Sequence, residues 1–270
     1  MNTDRTRQVL IVGSFVISVA VNAAASLLPL NGVNTAQIAD QWRVFVQPAG
    51  YVFAIWSVIY LGQLGFVLHS LRPSRRDDPL LRRIGLWPAA IGLLNGAWLF
   101  FWHWEVYPLT LLTMVALLLS LIVLYRRAGF ERTARPCGRP LRSAERWLVQ
   151  VPFSIYLGWI TVATIANVAI VGQWAGVPTF GIPPELIAAA VLAGGLGIAA
   201  TVMLRNADVA YGAVIVWAYI GIVVKEMEIV PVAAVAGISA LAVAGLIGAS
   251  LVGRLPLRNR LPVGDGLRLG

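Results

Sequence analysis

Eight apolar runs, at about 8–30, 50–70, 85–103, 108–125, 147–172, 184–204, 208–224 and 229–252, leave this chain of 270 residues only one solvent to fold in. The hydrocarbon core of a bilayer is about 30 Å thick and takes about 20 apolar residues of helix to cross. Within it every backbone N–H and C=O must be paired by the chain itself, which makes runs of this kind helices. The composition agrees: 59% of the residues are hydrophobic and 12% are charged, about half the charge of an ordinary soluble domain. The expected fold is an all-α polytopic membrane protein with eight spans.

The connecting segments carry the orientation signal. With the N-terminus on the cytoplasmic side, nineteen of the 21 Lys and Arg residues fall in cytoplasmic segments, and only Arg43 and Lys225 fall on the other face. Basic residues gather on the cytoplasmic side of membrane proteins, so both termini are expected inside, in the inner (plasma) membrane. The net charge of +9 then answers to lipid head groups rather than to nucleic acid. Cys137 is the only cysteine, which rules out an intrachain disulfide and a cysteine-based metal site. Arg5 and Arg7, the apolar stretch after them and Asn22-Ala23-Ala24-Ala25 have the layout of a cleavable leader. The run continues through Leu30, however, and is read as a retained first helix.

Aromatic and polar residues recur along three spans at helical spacing. Val52, Trp56, Tyr60 and Gln63 share one face of the second span, and Ile91, Asn95, Trp98 and Trp102 one face of the third. The fifth repeats the device with Pro152, Tyr156, Trp159, Ala163 and Asn167. An asparagine amide at membrane depth needs a hydrogen-bond partner, in another helix or in a ligand. Trp87, Trp104, Trp147 and Trp174 lie near span ends, where indoles anchor to the interface. Trp56, Trp98 and Trp159 lie deeper, so anchoring does not account for them. Three such stripes either pack the helices against one another or wall a pocket for a flat apolar ligand. Gly92 and Gly96 form a GxxxG pair, open to a helix of the same chain or of a second protomer. The segment Asn31–Gln47, with Trp42, Val44 and Phe45 among polar residues, is either a connecting loop or an amphipathic lid.

These residues resemble the tryptophan-rich sensory proteins, the TspO/MBR or translocator family. Pro48, Gly50, Tyr51, Val52, Phe53, Trp56, Ser57 and Tyr60 answer that family's second-helix signature. Asn95, Trp98, Phe100 and Phe101 answer its third, and Pro152, Tyr156, Leu157, Trp159 and Asn167 its fifth. Tyr51 stands where the family usually has tryptophan. The resemblance covers residues 1–174 and implies a TspO-like five-helix domain, with 175–270 as a three-helix extension ending in a basic cytoplasmic tail. It further implies a sensory or regulatory protein that binds porphyrins or sterol-like molecules inside the bundle. Carried over, the ligand-binding residues are Tyr51, Trp56, Tyr60, Asn95, Trp98, Trp159, Ala163 and Asn167, with Trp42 on the lid. No cofactor is required beyond a porphyrin ligand, and the candidate partners are membrane lipids, a hydrophobic small molecule (porphyrin or sterol-like) and, as a homodimer, a second copy of the chain.

Other functions have less in the sequence to support them. The two histidines, His69 and His103, are placed at opposite faces, and no HExxH, GxSxG or glycine-rich phosphate loop occurs. Catalytic and metal-binding residues are therefore not assigned. An eight-span lipid-cleaving hydrolase would gather aspartates at one interface, where Asp77, Asp78 and Asp208 read as solvated loop residues. A transporter of a small hydrophobic molecule is the nearer rival, although no acidic residue lies mid-span to couple an ion. Lys225, beside Glu226 and Glu228, reads as a snorkelling residue at a span end.

Overall fold

The computed structural model describes residues 3–28, 30–33, 35–129 and 141–253. Cys137, Arg132, Arg135 and Arg139, and Arg254, Arg258, Arg260 and Arg268 in the basic tail, lie outside them. The described residues form ten helices: α1 (Thr3–Leu27), α2 (Thr35–Asp40), α3 (Ile55–Leu71), α4 (Pro79–Ile84), α5 (Trp87–His103), α6 (Tyr107–Ala128), α7 (Ser143–Trp174), α8 (Pro184–Asn206), α9 (Val209–Lys225) and α10 (Val230–Leu251). Short 3-10 turns precede α2, α3 and α4.

Local chemistry accounts for the boundaries. Proline sits in the first turn of α4, α5, α6, α8 and α10, where its missing N–H would have no intrahelical acceptor. Asp78 caps α4 by accepting from Leu80 N at 2.8 Å, and Asp208 caps α9 by accepting from Tyr211 N at 3.1 Å. Within α7 the turn Arg146–Gln150 is π-helical. It stands directly before Pro152, whose ring and missing N–H obstruct a regular turn.

Six of the helical stretches among the described residues are long and apolar enough to cross a membrane: Asp4–Ala25, Gly50–Leu71, Tyr107–Ala128, Ser143–Trp174, Pro184–Asn206 and Val230–Leu251. The other two expected spans, α5 and α9, have 17 residues each. At 1.5 Å per residue that is about 26 Å, at the lower limit for spanning.

Five helices close a ring: α1 packs on α5, α5 on α6, α6 on α7, α7 on α3, and α3 back on α1. The GxxxG pair serves the first of these contacts. A Cβ on Gly92 would come within 3.0 Å of Ser14 O, so α1 of the same chain occupies that face. At the far end of the ring, away from the Asn31–Gln47 segment, Arg82 of α4 binds Asp4 of α1 through Nη2 at 2.6 Å. That hydrogen bond holds the Arg82 guanidinium above its usual pKa.

The last three helices dock through α9, which lies against α7, with α10 on α9 and α8 on α10. Asp208 belongs to this junction and is not a solvated loop residue. Its Oδ2 accepts from Tyr125 OH of α6 at 2.8 Å and from Ser154 Oγ of α7 at 2.6 Å. Asp78 likewise is buried, paired with Arg75 at 2.8 Å. Both aspartates were misread because a carboxylate that caps a helix looks, in sequence, like any polar residue between two apolar runs.

Candidate functional site

Inside the ring, at the end that carries the Asn31–Gln47 segment, lies a cavity of about 520 Å³, its mouth included. Three elements wall it: Phe53 and Trp56 at the start of α3, Trp98 and Trp102 of α5, and Trp159, Val162, Ala163, Ala166, Asn167 and Ile170 of α7. Thr35 and Ala39 of α2, with Gln47 and Pro48, cover it. The small residues of α7 leave the space, since Ala163 and Ala166 stand on the indole's side of the helix one and two turns on from Trp159.

The rings around the space are held at angles. Trp159 meets Phe53 edge to face at 5.5 Å and Trp56 at 6.2 Å, with interplanar angles of 81° and 83°. Trp98 and Trp102 stack at 5.3 Å and 23°. Such edge-to-face and offset pairs are favourable in themselves and present ring faces to neighbours. Trp102 Nε1 donates to Thr35 O at 3.1 Å and so ties the cover to α5. The N–H groups of Trp98 and Trp159 are buried with no hydrogen-bond partner among the described residues, and so is Gln47 Oε1. The surface that the cavity exposes is almost wholly apolar, so it is the ring faces and not these polar atoms that open onto it.

Five of the expected residues, Trp56, Trp98, Trp159, Ala163 and Asn167, come together on this cavity. Asn167 Nδ2 also donates to Thr110 Oγ1 of α6 at 3.2 Å, so one amide serves wall and helix packing together. Tyr60 and Asn95 lie elsewhere. Asn95 Nδ2 donates to Ser18 Oγ of α1 at 2.8 Å and to Tyr60 OH at 2.9 Å. Tyr60 lines a second cavity of about 350 Å³ between α1, α3 and α5, together with Tyr156 and Gln63. Trp56 marks the division, stacked on Tyr60 at 5.7 Å and edge-on to Tyr156 at 5.9 Å. Tyr51 is half exposed and packs edge-on against Trp217 of α9 at 5.3 Å. Trp42 is turned to α6, donating to Tyr107 OH at 2.8 Å.

The expected set omitted several wall residues. Trp102 follows Trp98 by four residues and Phe53 stands in the quoted motif, so both were within reach of the sequence. Thr35 and Ala39 carried no signal, because a six-residue helix in a polar segment has too few positions for a periodic pattern. His69 and His103 are both buried and neither lines the cavity, and among the described residues no three His, Asp or Glu gather as a metal site.

A family model described as TSPO-like protein matches residues 8–249. The bounds of the match lie on both sides of residue 174, and it ends within α10. No curated protein and no solved structure matches the chain.

Proposed function

The chain belongs to the TSPO-like protein family, and from that membership we propose that it is a multi-pass membrane sensor that binds a flat hydrophobic ligand, a porphyrin, in the cavity under α2. The observation that carries this reading is the gathering of Phe53, Trp56, Trp98, Trp102 and Trp159 around a cavity otherwise walled by small apolar residues. Ring faces offer stacking area to a macrocycle. What these residues do is stack, orient and exclude water. Eight spans, with α5 and α9 crossing as short helices, and both termini on the cytoplasmic face of the plasma membrane, complete the proposal; the distribution of Lys and Arg supports that orientation.

Titration of the detergent-purified protein with protoporphyrin IX, read by tryptophan quenching, tests it. Saturable quenching at micromolar ligand or below, abolished in Trp56→Ala/Trp159→Ala while helicity is kept, is the expected result. Linear quenching of equal slope in both proteins would mean partitioning into detergent and would sink the reading.

The second cavity favours one further reading, passage of the ligand through the ring past Trp56 and Tyr60. Reconstituted vesicles that accumulate porphyrin with the wild-type protein and fail to do so with Tyr60→Trp would mark transport; accumulation equal to protein-free vesicles rejects it.

A further inference from the structure

The cover of the cavity is fastened along two edges of different chemistry. On the α5–α6 edge no bond is an ion pair: Trp102 Nε1 donates to Thr35 O at 3.1 Å, Asn31 Nδ2 to His103 O at 3.0 Å, Trp42 Nε1 to Tyr107 OH at 2.8 Å and Gln41 Nε2 to Glu105 Oε1 at 3.3 Å. On the other edge the bonds are ionic, and they come from the end of α9. Lys225 Nζ lies 2.9 Å from Asp40 Oδ1, and Arg43 Nη2 lies 2.9 Å from Glu226 Oε2. Asp40 in turn accepts from Gln47 Nε2 at 3.2 Å, and Gln47 lines the cavity. Just below, the same helix grips the entry to α3: Ala49 N donates to Gly221 O at 3.1 Å and Trp217 Nε1 donates to Val52 O at 3.2 Å. Gly221 carries no side chain where Val52 and Pro48 press on it, so the chain between cover and α3 lies directly on α9.

We propose that the last three helices clamp this cover, with Lys225 and Glu226 as positioning residues that keep α2 and Gln47 seated over the cavity. That the clamp governs ligand entry and exit rests on the reading of the cavity as a ligand site; that it holds the cover does not. The two ionic bonds differ in strength. The Glu226 side chain is fully buried while Arg43 is 59% exposed, so losing Arg43 strands a carboxylate away from water, which is strongly unfavourable. Asp40 is 60% exposed, and a pair so open to water is weak and screened by salt. The α9 edge is therefore the one that opens, in two stages, and ionic strength acts on the first.

Hydrogen exchange of the backbone amides in 35–47, measured on the full chain in detergent, tests the clamp. Arg43→Ala/Glu226→Gln removes the stronger bond without stranding a charge, and is expected to speed exchange there about tenfold with α6 unchanged. Lys225→Ala is expected to give a smaller rise that Lys225→Arg restores. Added salt is expected to speed exchange in the wild type and not in Lys225→Ala. Protoporphyrin IX is expected to dissociate faster in step with exchange. Unchanged exchange in 35–47 of the double variant overturns the clamp, and so does a rise spread evenly over all helices. If exchange changes as expected but wild-type protein binds no porphyrin, the clamp stands and the ligand reading falls.

Discussion

Trp42, Trp102 and Trp217 each spend their indole N–H on a protein acceptor, whereas Trp98 and Trp159 do not. Phenylalanine at position 98 or 159 therefore gives up no hydrogen bond in the free protein. Each substitution keeps an aromatic face on the cavity and is expected to change ligand affinity by no more than about tenfold, read by quenching titration. Asn95→Ala is expected to act on stability instead. It breaks the bonds to Ser18 and Tyr60 that join α5 to α1 and α3, at a cost of about 1–2 kcal/mol seen in thermal unfolding in detergent, and leaves ligand affinity nearly unchanged. Sequence spacing placed Trp56, Tyr60, Asn95, Trp98, Trp102, Trp159 and Asn167 on shared helix faces, and that much was legible. It could not give depth: Tyr60 is one turn from Trp56 on the same stripe, yet that turn carries it past the aromatic layer into the second cavity. Nor could it separate the two asparagines, one of which lines the candidate site while the other ties helices together.

Among elements, the clearest contrast is between the two glycines of α5. A Cβ at Gly92 meets the backbone oxygen of Ser14 at 3.0 Å, whereas one at Gly96 meets only the methyl groups of Ile17 and Val21 at 3.9 and 4.0 Å. Gly92→Ala is expected to push α1 off α5 and cost about 1–3 kcal/mol. Gly96→Ala should be neutral or slightly stabilising, since alanine is the better helix former; thermal unfolding of the two variants side by side makes the comparison. The motif alone implied a close helix neighbour without saying which. The apolar runs gave two long helices almost to the residue, 184–204 against Pro184–Asn206 and 229–252 against Val230–Leu251, while 8–30 stands against Thr3–Leu27. Lipid imposes this directly, because a hydrocarbon slab fixes length and leaves the chain only the helix to satisfy its backbone. Helices that lie outside that constraint, α2 and α4, were not legible, and neither was the π-turn before Pro152.

Across the whole molecule, polar contacts tie the helices after residue 174 to the ring. Lys225, which reads as a free end residue, binds Asp40, and Asp208 joins α6, α7 and α9 through Tyr125, Ser154 and the first turn of α9. Asp208→Ala removes a helix cap and a charged acceptor shared by two hydroxyls. It is expected to lower stability by about 2–4 kcal/mol, measured by thermal unfolding, and to loosen α9 before the ring. The order of helices around the ring was likewise beyond the sequence, since hydropathy reports that a segment lies in lipid and not which neighbour it meets. That order has a consequence in time. α3 enters the membrane early, yet its place lies between α1 and α7, and α7 ends at Trp174, some hundred residues after Leu71. At ribosomal speeds of about 5–20 residues per second, the aromatic face of α3 spends about 5–20 seconds against lipid before its neighbour is made. Helix insertion and pocket assembly are thus separate events, and the wall that bears Trp159 is the last to arrive.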